Sequence, residues 1–364
     1  MRKKLFLILL AVCSLGISAA AQAKSGAWTK VEVAELGILG KAFDTPNPYH
    51  RIDTCVYKGF TKGENVQCRV PAGLSVVFKT DARKIGVSLN YAKDVNGGPY
   101  ASYRGFDLYI KKDGKWLWAG CTNFDRDHRN PQLVKVLVQE MLEGEKECLL
   151  YLPLYAEIQS CQLCVPEGSR IEKMESPFRH KIVFHGSSFT HGISCTRAGM
   201  SYPMQFMRKT GMQVIPLGFS GNCKMQPYFI DVIDDIDADA YIYDPFSNPN
   251  IPMIRERLEP FVERTVKAHP GKPIIIQRTI YWEKENFDTS AQREFQGRRD
   301  LSDSLMAIIC AKYKDVYYIK PDAALHNGES STADGVHPND NGYSLWEASI
   351  EKPILDILAR YGIK

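Results

Sequence analysis

A chain of 364 residues with 44% hydrophobic and 24% charged side chains, 27 Gly and 20 Pro is neither disordered, nor collagen-like, nor a coiled coil. The length fits two domains, each large enough for its own core. The formal charge of +4 includes Arg2, Lys3 and Lys4, which lie in a segment expected to be removed. The near-neutral remainder gives no electrostatic basis for nucleic acid or an anionic membrane surface as partner.

Residues 1–23 read as a secretory signal peptide. The three basic residues precede the apolar run Leu5–Val12, and Ala21-Gln22-Ala23 is an A-x-A cleavage pattern. The apolar run is too short to span a bilayer comfortably. Export with cleavage after Ala23 is expected, to the periplasm or beyond. Leu10-Ala11-Val12-Cys13 offers a lipid anchor as the alternative, disfavoured by bulky Val12 where a small residue is usual. No other run resembles a membrane span. All cysteines except Cys13 remain after cleavage, an odd number that leaves at least one thiol unpaired. Cys161 and Cys164 lie in the apolar run Ile158–Val165, and small buried side chains or one structural bridge are expected there.

From about Ala27 to Ile171 short apolar runs alternate with turn residues. Leu74–Lys79, Lys84–Tyr91, Ser102–Ile110, Trp116–Ala119 and Leu149–Leu154 read as strands, with Asp113-Gly114 as a hairpin turn. Residues 24–175 are therefore expected to form an antiparallel, jelly-roll-like β-sandwich with little helix. Trp116 and Trp118 share a strand face, which suits core or interdomain packing better than a sugar platform. The polar stretch Glu172–His180, containing Pro177, reads as the linker.

Residues 180–364 alternate strands with helices. Lys181–Phe184, Gln213–Leu217, Ala240–Tyr243, Pro273–Gln277 and Val316–Ile319 are short buried-strand runs. Helical spacing occupies Tyr202–Thr210, Tyr228–Ile236, Ile251–Val266, Ser290–Tyr313 and Tyr343–Leu358. About five parallel strands imply an open, flavodoxin-like α/β/α sandwich. Active sites of such sheets lie at the carboxyl ends of the strands. There the chain carries His185-Gly-Ser-Ser-Phe-Thr-His191-Gly192, then Gly218-Phe-Ser-Gly-Asn222, then Asp244-Pro-Phe-Ser-Asn248-Pro-Asn250, and finally Asp334-Gly-Val-His337. These supply a serine nucleophile, oxyanion donors, and a base with its orienting acid. His185 and His191 match no common metal spacing. His191, Arg197, Gln226 and Asn250 are polar loop residues suited to the alcohol part of a substrate.

At these residues the chain resembles the SGNH (GDSL-type) hydrolase superfamily, with the signature blocks in order. The resemblance implies Ser188 as nucleophile, and Gly221 as a backbone donor to the oxyanion beside the Ser188 N–H. It implies Asn248 as the side-chain donor, His337 as base and Asp334 as its orienter. The usual GxND of the third block is absent, so Asn250 stands as the alternative to Asn248. Gly105-Phe-Asp-Leu-Tyr109 is similar to the GxDLY motif of the β-rich domain that precedes the hydrolase in a group of two-domain bacterial members. Alternation puts Asp107 and Tyr109 on one strand face and Phe106, Leu108 and Ile110 on the other. The expected activity is a secreted serine esterase that needs no cofactor or metal and removes ester groups, O-acetyl foremost, from carbohydrate. A lipid or methyl ester hydrolase and a non-catalytic glycan-binding protein are the alternatives.

Overall fold

The computed structural model describes residues 27–92, 100–125, 130–321 and 331–364. The expected signal peptide, with Cys13, lies outside them. Two antiparallel sheets pack face to face in the first part. In chain order the strands are β1 (Trp28–Glu32), β2 (Ile38–Leu39), β3 (Ser75–Thr80), β4 (Ile85–Tyr91), β5 (Phe106–Lys112), β6 (Lys115–Thr122), β7 (Lys135–Val138), β8 (Lys146–Tyr151), β9 (Ile158–Pro166) and β10 (Ile171–Lys173). One sheet runs β1-β9-β4-β7; the other runs β10-β3-β8-β5-β6, with β2 added on β3. Strand alternation sends Phe78, Val87, Leu89, Phe106, Leu108 and Leu163 into the space between the sheets. Asp113 and Gly114, with φ of 51° and 77°, make the β5–β6 turn, whose twist requires positive φ at both positions.

Three sequence expectations are corrected in this part. Residues Ser102–Arg104, read as the start of a strand, belong to a helical turn, α2 (Ala101–Arg104), and the strand begins only at Phe106. A second helix, α1 (Lys62–Arg69), stands where no helix was expected; Thr61 and Glu64 cap it reciprocally and mark its start. The stretch Glu172–His180 is not all linker, because Ile171–Lys173 pair with Thr80–Phe78 and the next strand starts at Arg179.

The second part is a parallel sheet of β11 (Arg179–Gly186), β12 (Met212–Gly218), β13 (Ala240–Asp244), β14 (Ile274–Gln277) and β15 (Val316–Ile319), in the order β12-β11-β13-β14-β15. Helices α3 (Ser188–His191), α4 (Tyr202–Thr210), α5 (Pro227–Asp234), α6 (Ile251–Ala268), α7 (Thr289–Lys312) and α8 (Asp340–Ala359) connect or follow the strands. One face of the sheet packs on α5, α6 and α7 through Val183, Ile215, Tyr243, Phe261 and Met306. The opposite face continues into the outer side of the β-rich part: Tyr109, Leu149 and Tyr151 share a core with Ile182, Phe184, Tyr202 and Met204. No helix among the described residues is long and apolar enough to cross a membrane.

The GxDLY residues sit at this junction. Asp107, fully buried, accepts from the Gly199 N–H (3.0 Å) and the Trp118 indole (3.1 Å), and pairs with Arg197 (3.4 Å). Tyr109 lies under the Arg208 guanidinium at 4.1 Å. Trp116 stacks on Phe178, and Arg197 covers Trp118. Trp116 thus packs at the junction, while Trp118 lies half exposed at its edge.

Candidate active site

The register of the parallel sheet sets the site. Gly186 is paired with both Gly218 and Asp244, so the ends of β12, β11 and β13 finish level and their loops leave side by side. At Gly218 a Cβ would lie 2.2 Å from the His191 N; only glycine lets α3 turn back against the strand end.

Ser187 and Ser188 follow β11, and their surroundings divide their tasks. Ser187 is the N-cap of α3: its Oγ accepts from the Phe189 N–H (3.2 Å) and donates to Asp244 Oδ2 (2.7 Å). Ser188 opens the helix, and its Oγ donates to His337 Nε2 at 3.1 Å. His337 Nδ1 donates to Asp334 Oδ2 at 2.8 Å, which assigns the tautomer that leaves Nε2 as acceptor. The line runs from the interior outward: Ser188 is 5% exposed, the His337 side chain 23% and the Asp334 side chain 53%. Burial pushes the Asp334 carboxyl up, but hydrogen bonds from the His337 N–H, the His337 ring and the Val336 N–H outweigh it and hold the group below the usual carboxylate range. Phe189 meets the His337 ring edge-on at 5.6 Å and rests on Trp346.

The loop carrying this histidine is held from outside. Thr332 Oγ1 donates to Glu283, and the Lys284 N–H donates to the Gly335 carbonyl at 2.9 Å. Nothing in the sequence announced this contact, which joins loops after different strands.

Gly221 has φ of 73°, is exposed, and has open space where a Cβ would stand. Neither its N–H nor that of Ser188 has a hydrogen-bond acceptor among the described residues. Asn248 lies on the neighbouring loop; its Oδ1 accepts from the Cys223 N–H at 3.1 Å, which turns Nδ2 away as a donor without a partner among the described residues. Asn250 is spent elsewhere, as the exposed N-cap of α6 accepting from the Met253 N–H.

His191, Arg197, Gln226 and Asn250, expected to face a substrate, are instead each bonded to other groups of the protein, Asn250 at its surface. His191 Nε2 donates to the Leu154 carbonyl, Arg197 pairs with Asp107, Gln226 donates to Glu64 and Asn222, and Asn250 caps α6. His185 Nδ1 donates to the Leu217 carbonyl and its Nε2 faces Cys223 Sγ at 3.5 Å. Burial pushes His185 down to about 4 and His191 down to about 3, so both are neutral. Among the described residues no three His, Cys, Asp or Glu side chains cluster as a metal site, and the nine cysteines are all unpaired thiols.

Both parts of the chain are similar to known proteins. Residues 179–355 match the model of the GDSL-like lipase/acylhydrolase family, and residues 26–171 match that of the GxDLY N-terminus of SGNH-hydrolase-type esterases. A structure described as a GDSL-like lipase from Bacteroides ovatus is 35% identical, covers 92% of this chain and 98% of its own, and superposes with a TM-score of 0.86. Two family two carbohydrate esterases share the fold at lower identity. That of Clostridium thermocellum, in complex with cellohexaose, is 14% identical over 79% of this chain and 93% of its own, with a TM-score of 0.58. That of Cellvibrio japonicus is 12% identical over 92% and 98%, with a TM-score of 0.59. No curated protein matches the chain. With both halves matched, and a 35% identical relative aligned over nearly its whole length, this chain belongs to the GDSL-like (SGNH) acylhydrolase family, in the branch that carries an N-terminal GxDLY domain.

Proposed function

We propose that this protein is an exported serine esterase that removes short acyl groups, acetyl foremost, from carbohydrate. The observation that carries the reading is the continuous contact from Ser188 Oγ through His337 to Asp334, set beside three N–H donors that have no partner among the described residues. In the proposed reaction His337 Nε2 takes the Ser188 proton as Oγ adds to the ester carbonyl. Asp334 stabilises the imidazolium that results. The carbonyl oxygen, now anionic, receives the Ser188 and Gly221 N–H groups and the Asn248 amide. Collapse breaks the bond to the sugar oxygen, which takes the proton from His337 and leaves as the hydroxyl. Water then adds to the acyl-serine with His337 again as base, releasing the acid and restoring Ser188. The scheme uses no cofactor.

The carbohydrate substrate is supported by the fold shared with the two carbohydrate esterases and by the expected export signal. Release of acetate from a panel of acetylated polysaccharides, with Ser188→Ala as control, tests it. Acetate release that requires Ser188 supports the reading. Strong preference for long-chain over acetyl nitrophenyl esters would move the substrate to lipid, and binding without Ser188-dependent hydrolysis would make the protein a glycan binder.

A further inference from the structure

Gly221 is exposed, with open space where a Cβ would stand, so no side-chain packing of its own holds it in place. Its neighbours are held, and from the β-rich half. Ser220 Oγ stands 2.7 Å from the Tyr155 hydroxyl and 3.2 Å from His191 Nδ1, while the Ser220 carbonyl accepts from Gln67 Nε2 at 2.9 Å. Upstream, Arg51 donates to the carbonyls of Pro216 (3.1 Å) and Gly218 (3.0 Å) with its guanidinium over the Phe219 ring. Downstream, Glu64 accepts from Gln226 at 3.0 Å. Arg51, Glu64, Gln67 and Tyr155 all precede the parallel sheet in the chain.

The hydrogen bonds around Ser220 admit one direction only. The Leu154 carbonyl can only accept, so His191 Nε2 carries the proton and Nδ1 is left with a lone pair. The single Ser220 hydrogen goes to Nδ1, and the Ser220 oxygen receives the Tyr155 hydrogen. The Tyr155 ring is stacked on His191 at 4.2 Å and on Tyr103 at 4.7 Å, which fixes where that hydrogen points. Burial keeps His191 neutral and raises the Tyr155 phenol far above its ordinary value, so the chain of bonds keeps its order across the working pH range.

We infer that Tyr155 and Gln67 of the β-rich half are positioning residues for the oxyanion loop: through Ser220 they aim the Gly221 N–H, and through the same loop the Cys223 N–H that orients Asn248. The β-rich half is then a working part of the active site and not only an appended module. The inference rests on the proposed oxyanion role of Gly221.

The test is Tyr155→Phe in the full chain, which keeps the stacked ring and removes only the hydroxyl. Turnover of an acetyl ester should fall by about 10–100-fold with KM within about twofold, because a misaimed donor weakens only the transition state. An alkyl boronic acid, which mimics the tetrahedral anion, should lose affinity by the same factor, while the thermal midpoint stays within a few degrees. Tyr155→Phe combined with Ser220→Ala should be no slower than the slower single variant, since both remove one link. Independently of activity, amide exchange across residues 219–223 should quicken in Tyr155→Phe. Unchanged turnover with unchanged exchange would overturn the inference, as would a loss confined to KM. If wild-type protein shows no Ser188-dependent hydrolysis, the esterase reading fails, and the exchange measurement alone decides whether Tyr155 holds the loop.

Discussion

Ser187 and Asp244 are joined beneath the nucleophile loop: Ser187 Oγ donates to Asp244 Oδ2 at 2.7 Å, both fully buried. Ser247 and Thr190 donate to the same carboxylate at 3.1 and 3.4 Å, and no Lys, Arg or His pairs with it among the described residues. This bond engages Ser187 Oγ at the start of α3, while Ser188 faces His337.

Burial pushes the Asp244 carboxyl up to about 6 from 3.8, against the hydrogen bonds that favour its charged form. A folded-state value above the unfolded one means that the folded protein binds the extra proton between the two values. Asp244 therefore costs stability in full above about pH 6, and that cost is relieved as pH falls towards 3.8. Denaturant unfolding of wild type and Asp244→Asn at about pH 5 and about pH 7.5 checks this, with the wild type gaining on the variant at the lower pH. A stability difference independent of pH would contradict it.

Asn248 and Asn250 separate by what they already bond. Asn248→Ala should lower kcat by about 10²–10³, roughly 2.7–4 kcal/mol, with KM little changed. Asn250→Ala should leave kcat nearly untouched and cost about 1 kcal/mol of stability through loss of the α6 cap. Steady-state kinetics and unfolding of both variants decide; a kcat loss in Asn250→Ala with Asn248→Ala silent would reverse the assignment.

Asp334→Asn keeps an oxygen for the Val336 and His337 N–H groups, but its amide would donate to His337 Nδ1. That puts the imidazole proton on Nε2, where it cannot accept from Ser188. The loss in kcat should approach about 10⁴-fold, as in serine proteases altered in the same way. His337→Ala with near-wild-type kcat would remove the proposed base altogether.

Much of this was legible in sequence. Val316–Ile319 and Tyr202–Thr210 coincide with their elements because buried parallel strands and amphipathic helices write strong periodic signals. The Ser188, Gly221 and Asn248 loops could be placed together from the strand pattern, because β11, β12 and β13 end in one register, and the sequence blocks brought Asp334 and His337 to the same edge. What was missed depends on contacts distant in sequence. Tyr155 and Gln67 meet Ser220 across 65 and 153 positions, and Thr332 meets Glu283 across 49, with no local pattern to mark either. The four polar loop residues misread as substrate contacts failed for the converse reason: polarity in a loop does not reveal that a carbonyl, a carboxylate or a helix end already occupies it. Helix α1 was the exception, since Thr61-Lys-Gly-Glu64 is a capping box visible in the sequence itself.

Peptide mapping by mass spectrometry after reaction with a fluorophosphonate shows directly whether Ser188 is the nucleophile. Wild type and Ser187→Ala should each carry one adduct, on Ser188, and Ser188→Ala should carry none while unfolding at the same temperature as wild type. An adduct on Ser187, or folded wild-type protein that does not react, would contradict the account.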